Sequence, residues 1–189
     1  MLLDEAWRQL RAQGYGSFTI DAVARAAETS RAVLYRRWPN KASLVHAAIR
    51  AHTGSVVDEA PDTGALADDV RTVLRTLSGR IESLGVDVMI GLLGELDELP
   101  ADVTGSVPRI IDQTVQRARA RGEIGAAPIP GAVLDMPTNL LRYTMITEHA
   151  APSDEAVDNI VDQLFIPLVR HYAPSGQAEP PAGSAEGQG

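Results

Sequence analysis

Apolar residues recur three and four positions apart along nearly the whole 189-residue chain, while alternating runs rich in Val, Ile and Thr are almost absent. A helix brings such positions onto one face and a strand needs period two, so the pattern predicts an all-α protein. A first helix is expected over about 2–13, stopping at Gly14 with Gly16 beyond it. Thr19 caps a second over about 20–27, with Asp21 in the first turn, where the helix dipole favours negative charge. Glu28-Thr29-Ser30 forms a short break. Ser30 caps a third helix, 31–37, ending before Pro39, and Asn40 caps a fourth from Lys41 to about His52.

The stretch 54–65, small, acidic and broken by Pro61, reads as a connection or a frayed helix end. Further helices are expected near 66–84, 86–97, 104–121, 130–149 and 153–172, the last with Pro167 inside it as a kink. Residues 173–189 carry no apolar periodicity and are expected to be disordered. The domains read as 1–52, 53–172 and that tail. The chain has no cysteine, hence no disulfide framework and no thiolate nucleophile, and no apolar stretch long enough for a membrane span. MLLDEAWRQL carries acids where a signal peptide would be basic and then apolar, which points to a cytoplasmic protein away from membranes.

Catalysis finds no support. His46, His52, His149 and His171 form no i, i+4 pair and no zinc motif, and no nucleophile elbow, phosphate loop or dinucleotide fingerprint appears. Asp68-Asp69 and Asp97-Glu98 adjoin in sequence, which on a helix points the two carboxylates apart. The expectation is a non-enzyme without metal or cofactor.

A net charge of −8 argues at first against a polyanionic partner, but the charge is split. Residues 1–52 hold eight basic groups against four acids, net +4, and the remainder nine against twenty-one, net −12. Within the basic head, helix, three-residue break and helix over 19–38 match a helix-turn-helix, whose second helix enters the DNA major groove. Phe18, Ile20, Val23, Ala24, Ala27, Leu34 and Trp38 can close a small core with Trp7 and Leu10. Outside it remain Arg31, Ala32, Val33, Tyr35, Arg36 and Arg37. Arg31 and Arg37 are assigned to guanine edges and Arg36 and Tyr35 to the backbone. Thr19 and Ser30 are helix caps first, worth ~1 kcal/mol each, and phosphate contacts second.

The run GYGSFTIDAVARAAETSRAVLYRRWPNKASLVHAAI resembles the DNA-binding domain of TetR-type transcriptional repressors: a Thr cap, paired Ala, Ser before the recognition helix, Leu-Tyr, an aromatic, and Lys before an apolar fourth helix. GLLGEL, RARARGEI, LLRYTMITEH and DQLFIPLVRHY are similar, more loosely, to the family's regulatory helices. The resemblance implies an N-terminal three-helix helix-turn-helix domain followed by an antiparallel helical regulatory domain. It implies phosphate contacts by Thr19 and by Lys41, the only lysine in the chain, and a groove-facing set of Arg31, Ala32, Val33, Tyr35 and Arg37, in which Ala32 and Val33 can meet thymine methyl groups. Many relatives carry a basic extension ahead of the first helix; here either that contact is omitted or the chain begins late.

A lone recognition helix reads few base pairs, so a homodimer on a palindromic operator is expected. Helices 132–149 and 153–172 carry more apolar residues than a two-helix hairpin buries, and Val157, Ile160, Val161, Leu164, Phe165 and Leu168 are the candidate interface. The resemblance also implies a small-molecule effector that changes the spacing of the two DNA heads. Met89, Leu92, Leu93 and Leu96, with Met136, Asn139, Leu140, Tyr143 and Ile146, are candidate lining. Only three of eight aromatics, Tyr143, Phe165 and Tyr172, lie in the body, which favours an aliphatic or modestly polar effector over a flat aromatic cation. A reading of a different class is a helical interaction module in which the helix-turn-helix is scaffold and the acidic body binds a basic partner.

Overall fold

The computed structural model describes residues 1–54, 60–95 and 106–175, and every regular element among them is helical. In chain order these are α1 (Leu2–Ser17), α2 (Ile20–Ala26), α3 (Arg31–Arg37), α4 (Lys41–Thr53), α5 (Leu66–Leu84), α6 (Val86–Glu95), α7 (Ser106–Ala120), α8 (Gly131–Glu148), α9 (Asp154–Asp158), a π-helical stretch Asn159–Phe165, and α10 (Ile166–Tyr172). Thr19, Ser30, Asn40 and Ser153 each sit in extended backbone and accept a first-turn N–H, satisfying a donor that has no partner within the helix. Among the described residues no helix is long and apolar enough to cross a membrane.

The regular run of α1 ends at Gly14 as expected, at φ 72° and ψ 175°, a conformation open essentially to glycine, and a single further turn to Ser17 follows across this bend. The bend turns Tyr15 inward. Pro167 lies inside the last helical run, just after a π-helical stretch. α9, the π-helical stretch and α10 run on without interruption, with φ −62° and ψ −44° at both Asn159 and Ile166. Proline lacks the N–H for the turn before it and crowds that turn's carbonyl, and the widened turns just ahead of it absorb the mismatch.

The apolar faces close two cores. Leu10, Phe18, Ile20, Val23, Leu34, Leu44 and Val45 form the first, joined by Leu84 from the end of α5 and by Val88 and Leu92 from α6. Leu66, Val70, Leu74, Ile110, Ile111, Val115, Met145 and Phe165 anchor the second. Each such side chain contributes roughly 1.5–3 kcal/mol on burial. Because α6 packs on α1 and α4 as well as on α5, the head and body share a helix instead of meeting only through a linker. Arg11 donates to the Ser83 carbonyl (2.6 Å), and Arg80 donates to the Gly54 carbonyl (2.8 Å), adding polar ties across the same junction.

Within the body, the RARARGEI segment fastens the start of α5. The Glu123 carboxylate accepts the Leu66 N–H at 2.9 Å to each oxygen, filling the end that lacks a side-chain cap of its own. Asp69, fully buried, accepts from the Thr63 N–H (2.6 Å) and hydroxyl (2.8 Å) and pairs with Arg121 (3.1 Å), which also reaches Asp62 (2.8 Å) and Glu123 (3.1 Å). Arg71 ties α5 to Asp158 and Asp162 at 2.8 Å each.

The interface expected on the last helix is revised by this packing. Val157, Val161 and Phe165 are 0% exposed and Ile160 6%, all in the subunit's own second core, with Leu168 packed half-buried beside it. Only Leu164 of that set stays exposed, at 43%. The π-helical widening and the cover from α5 and α8 use up most of the apolar stripe internally. Ala173, the first residue of the expected disordered tail, is also buried, and its carbonyl accepts the Gly125 N–H at 2.9 Å. Residues 176–189 lie outside the described residues.

Candidate nucleic-acid interface

The bend between α2 and α3 is closed by backbone alone. Thr29 N–H bonds the Ala24 carbonyl (3.0 Å) and Glu28 N–H the Arg25 carbonyl (3.3 Å), with Glu28 left-handed at φ 51°. This is the paired closure usually built on glycine. It halts α2 after two turns and lets Ser30 start α3 in a new direction, its Oγ accepting from the Val33 N–H at 3.4 Å. Thr19 does the same for α2 through the Ala22 N–H (3.2 Å). A cap uses a hydroxyl's lone pair and leaves its O–H to donate, so capping and a phosphate contact are compatible on one side chain.

α3 is anchored by little more than Leu34, fully buried, and by Trp38 closing its end. Arg31, Ala32, Val33, Tyr35, Arg36 and Arg37 are all exposed, Val33 at 44% and Tyr35 at 47%. Three guanidinium groups mixed with exposed apolar side chains fit a surface that is both polyanionic and studded with methyl groups, as the major groove is. Ala27, expected in the core with Phe18, Ile20, Val23, Ala24, Leu34 and Trp38, is half-buried, as is Trp7, whose ring stacks on His52 at 5.2 Å.

The structure adds partners that sequence reading missed. Arg31 is ion-paired with Asp21 at the start of α2. The Arg37 guanidinium lies 4.8 Å from the centre of the Trp38 ring, and Lys41 Nζ lies 4.1 Å from the centre of the Tyr15 ring. The Arg31–Asp21 and Lys41–Tyr15 interactions join residues on different helices, so no short-range spacing announces them. Tyr15 is buried, and burial first, then the nearby Glu95 carboxylate, push its phenol well above the usual tyrosine range.

The candidate effector residues are not brought together as one set. Met89, Leu93, Met136 and Leu140 pack half-buried against the second core, whereas Leu92 is buried in the first, although Met89 touches both. Asn139, Tyr143 and Ile146 are exposed, and Leu96 lies outside the described residues.

Comparison with known proteins decides what this arrangement belongs to. The family description "Bacterial regulatory proteins, tetR family" matches residues 2–48, and "Tetracyclin repressor-like, C-terminal domain" matches residues 60–164. The chain belongs to the TetR family. Among its TetR-family relatives is a DNA-binding transcriptional repressor of Mycobacteroides abscessus, 32% identical over 89% of this chain and 92% of the relative. The chain is also similar to an HTH-type transcriptional regulator of Mycobacterium bovis, 34% identical over 88% of this chain and 85% of that protein. The fold is similar to that of the TetR family transcription regulator SCO0332, with TM-score 0.63 at 20% identity over 87% of this chain and 94% of the other. It is also similar to the Flavonoid-responsive Regulator FrrA, with TM-score 0.57 at 20% identity over 93% and 96%. This TetR-family protein is a DNA-binding transcriptional regulator, of a family of regulators and not of enzymes, and the reading as an interaction module with an idle helix-turn-helix is set aside.

Proposed function

We propose that the protein is a homodimeric repressor that grips a palindromic operator with Thr19, Ser30, Arg31, Ala32, Val33, Tyr35, Arg36, Arg37 and Lys41, and lets go when a small molecule binds the body. The observation that carries the DNA half is α3 itself: a seven-residue helix with one fully buried side chain and six exposed ones, three of them arginine. The dimer half is supported by the body's exposed large hydrophobics, Tyr143 (65%), Ile146 (45%), Leu164 (43%) and Tyr172 (40%), all on α8 or the final helix. Isolated apolar exposure is ordinary; its concentration on two neighbouring helices marks a surface for a second copy. The effector half rests on Met89, Leu93, Met136 and Leu140, aliphatic and thioether side chains at the edge of the second core, which suit an aliphatic or modestly polar molecule. Release requires that the effector bind one spacing of the two heads better than the other.

A polarisation titration tests the first half, using a duplex that the protein selects from a random-sequence library. Neutralising ~6 phosphates per dimer predicts a log–log salt slope of about −5. Salt-insensitive binding, or failure to select any duplex, would contradict the reading. Light scattering tests the second half: the wild-type chain should have a dimer's mass, and Ile146→Asp with Leu164→Asp a monomer's.

A further inference from the structure

Tyr15 lies where head and body touch. The bend at Gly14 turns its ring inward, and on the body side it meets α6 at Gly91. A Cβ on residue 91 would fall 2.2, 2.5 and 2.7 Å from Cδ1, Cε1 and Cγ of the ring, nearer than such atoms approach, so the ring occupies its place only because residue 91 has no side chain. On the head side the same ring carries the Lys41 ammonium at 4.1 Å. Lys41 is the first residue of α4, where the positive end of the helix dipole disfavours a cation, and a lysine side chain left alone there would spread over many rotamers. The Tyr15 hydroxyl lies by the Glu95 carboxylate, and it is the ring face, not this polar tip, that meets the Lys41 ammonium.

We propose that Tyr15 is a positioning residue for DNA binding: its ring holds the Lys41 ammonium at the α4 N-terminus ready for a phosphate, and Gly91 on α6 is the seat that lets the ring do so. The inference rests on Lys41 being a phosphate contact. Removing the cation–π interaction from both subunits corresponds to an operator Kd raised roughly 5- to 30-fold.

The experiment is a salt-dependent polarisation titration of the full-length protein on its library-selected duplex, in a double-mutant cycle. Lys41→Gln alone should weaken binding and flatten the salt slope by about 2 per dimer. Tyr15→Phe, which keeps the ring face, should bind within about 2-fold of wild type, while Tyr15→Leu should raise Kd by the factor above. Gly91→Ala, which leaves Tyr15 in the chain but fills its seat, should weaken binding comparably, with circular dichroism confirming an unchanged helix content. In the Lys41→Gln background, both Tyr15→Leu and Gly91→Ala should then shift Kd less than 2-fold. Equal weakening with and without Lys41 would overturn the positioning role while leaving Lys41 a phosphate contact. A Lys41→Gln protein with unchanged Kd and slope would overturn the phosphate contact itself, and the proposal with it.

Discussion

Arg31 is assigned to a base edge, yet in the free protein it is paired with Asp21, so DNA binding must break or remodel that pair. Asp21→Asn isolates this cost. The side chains of Arg31 and Asp21 are 65% and 34% exposed, which places the pair among surface ion pairs worth about 0.2–1 kcal/mol each. Two subunits release two such pairs, so the variant should bind its selected duplex tighter by about 0.4–2 kcal/mol, or roughly 2- to 30-fold in Kd. Removing a first-turn acid from α2 should at the same time lower folding stability by about 0.3–1 kcal/mol, visible as a slightly lower Tm. The assay is polarisation on the selected duplex and on a scrambled one, repeated in an Arg31→Ala background. There the gain should shrink to the residual effect of one fewer negative charge near the phosphates. Weaker binding by Asp21→Asn would refute the reasoning, since it would mean that Asp21 holds Arg31 in its reading pose instead of withholding it. An equal gain with and without Arg31 would refute it as well.

Leu34→Ala should destabilise the protein by about 2–4 kcal/mol in urea titration and abolish specific DNA binding, because Leu34 is the one fully buried side chain of α3. Arg121→Ala leaves the fully buried Asp69 without its cation and should cost about 2–3 kcal/mol, with the body's melting transition lowered and DNA binding unchanged when measured well below it. Glu28→Gly relieves a left-handed residue at the α2–α3 bend and should raise stability by roughly 0.5–1 kcal/mol in a thermal melt; a lower Tm would show that the Glu28 side chain does more than occupy the turn.

The helices and caps were legible because their causes are local. Thr19, Ser30 and Asn40 cap the helices predicted for them, since a cap needs only its own side chain and an N–H three residues on. The outward set on α3 was legible in part for the same reason: with Leu34 inward, helical periodicity turns Ala32, Val33, Tyr35 and Arg36 outward, whereas Arg31 and Arg37, three positions to either side of Leu34, flank its face and are exposed because the core does not extend over them. The apolar stripe of the last helix misled, because a stripe shows that a face is covered and not by what. Val161 and Phe165 are covered by the same subunit, and the exposed remainder, Leu164 and Tyr172, together with Tyr143 and Ile146 on α8, is a different set. Leu92 was misplaced likewise, since α6 divides its faces between two cores that no periodicity distinguishes.

From the sequence by itself came the all-helical class, the helix-turn-helix and its outward arginines, and the split between a basic head and an acidic body, all properties of residues within a few turns of one another. Tertiary structure alone decided that Arg31 meets Asp21, that Asp69 meets Arg121, and that Lys41 meets Tyr15 in a seat made by Gly91. Those partners lie on different elements, Gly91 seventy-six positions beyond Tyr15, and are joined only when the helices pack. The physical reason is one of range: caps, turns and amphipathic faces are set by the chain's own short-range geometry, whereas side-chain pairing between helices depends on crossing and register, which only the packed core defines.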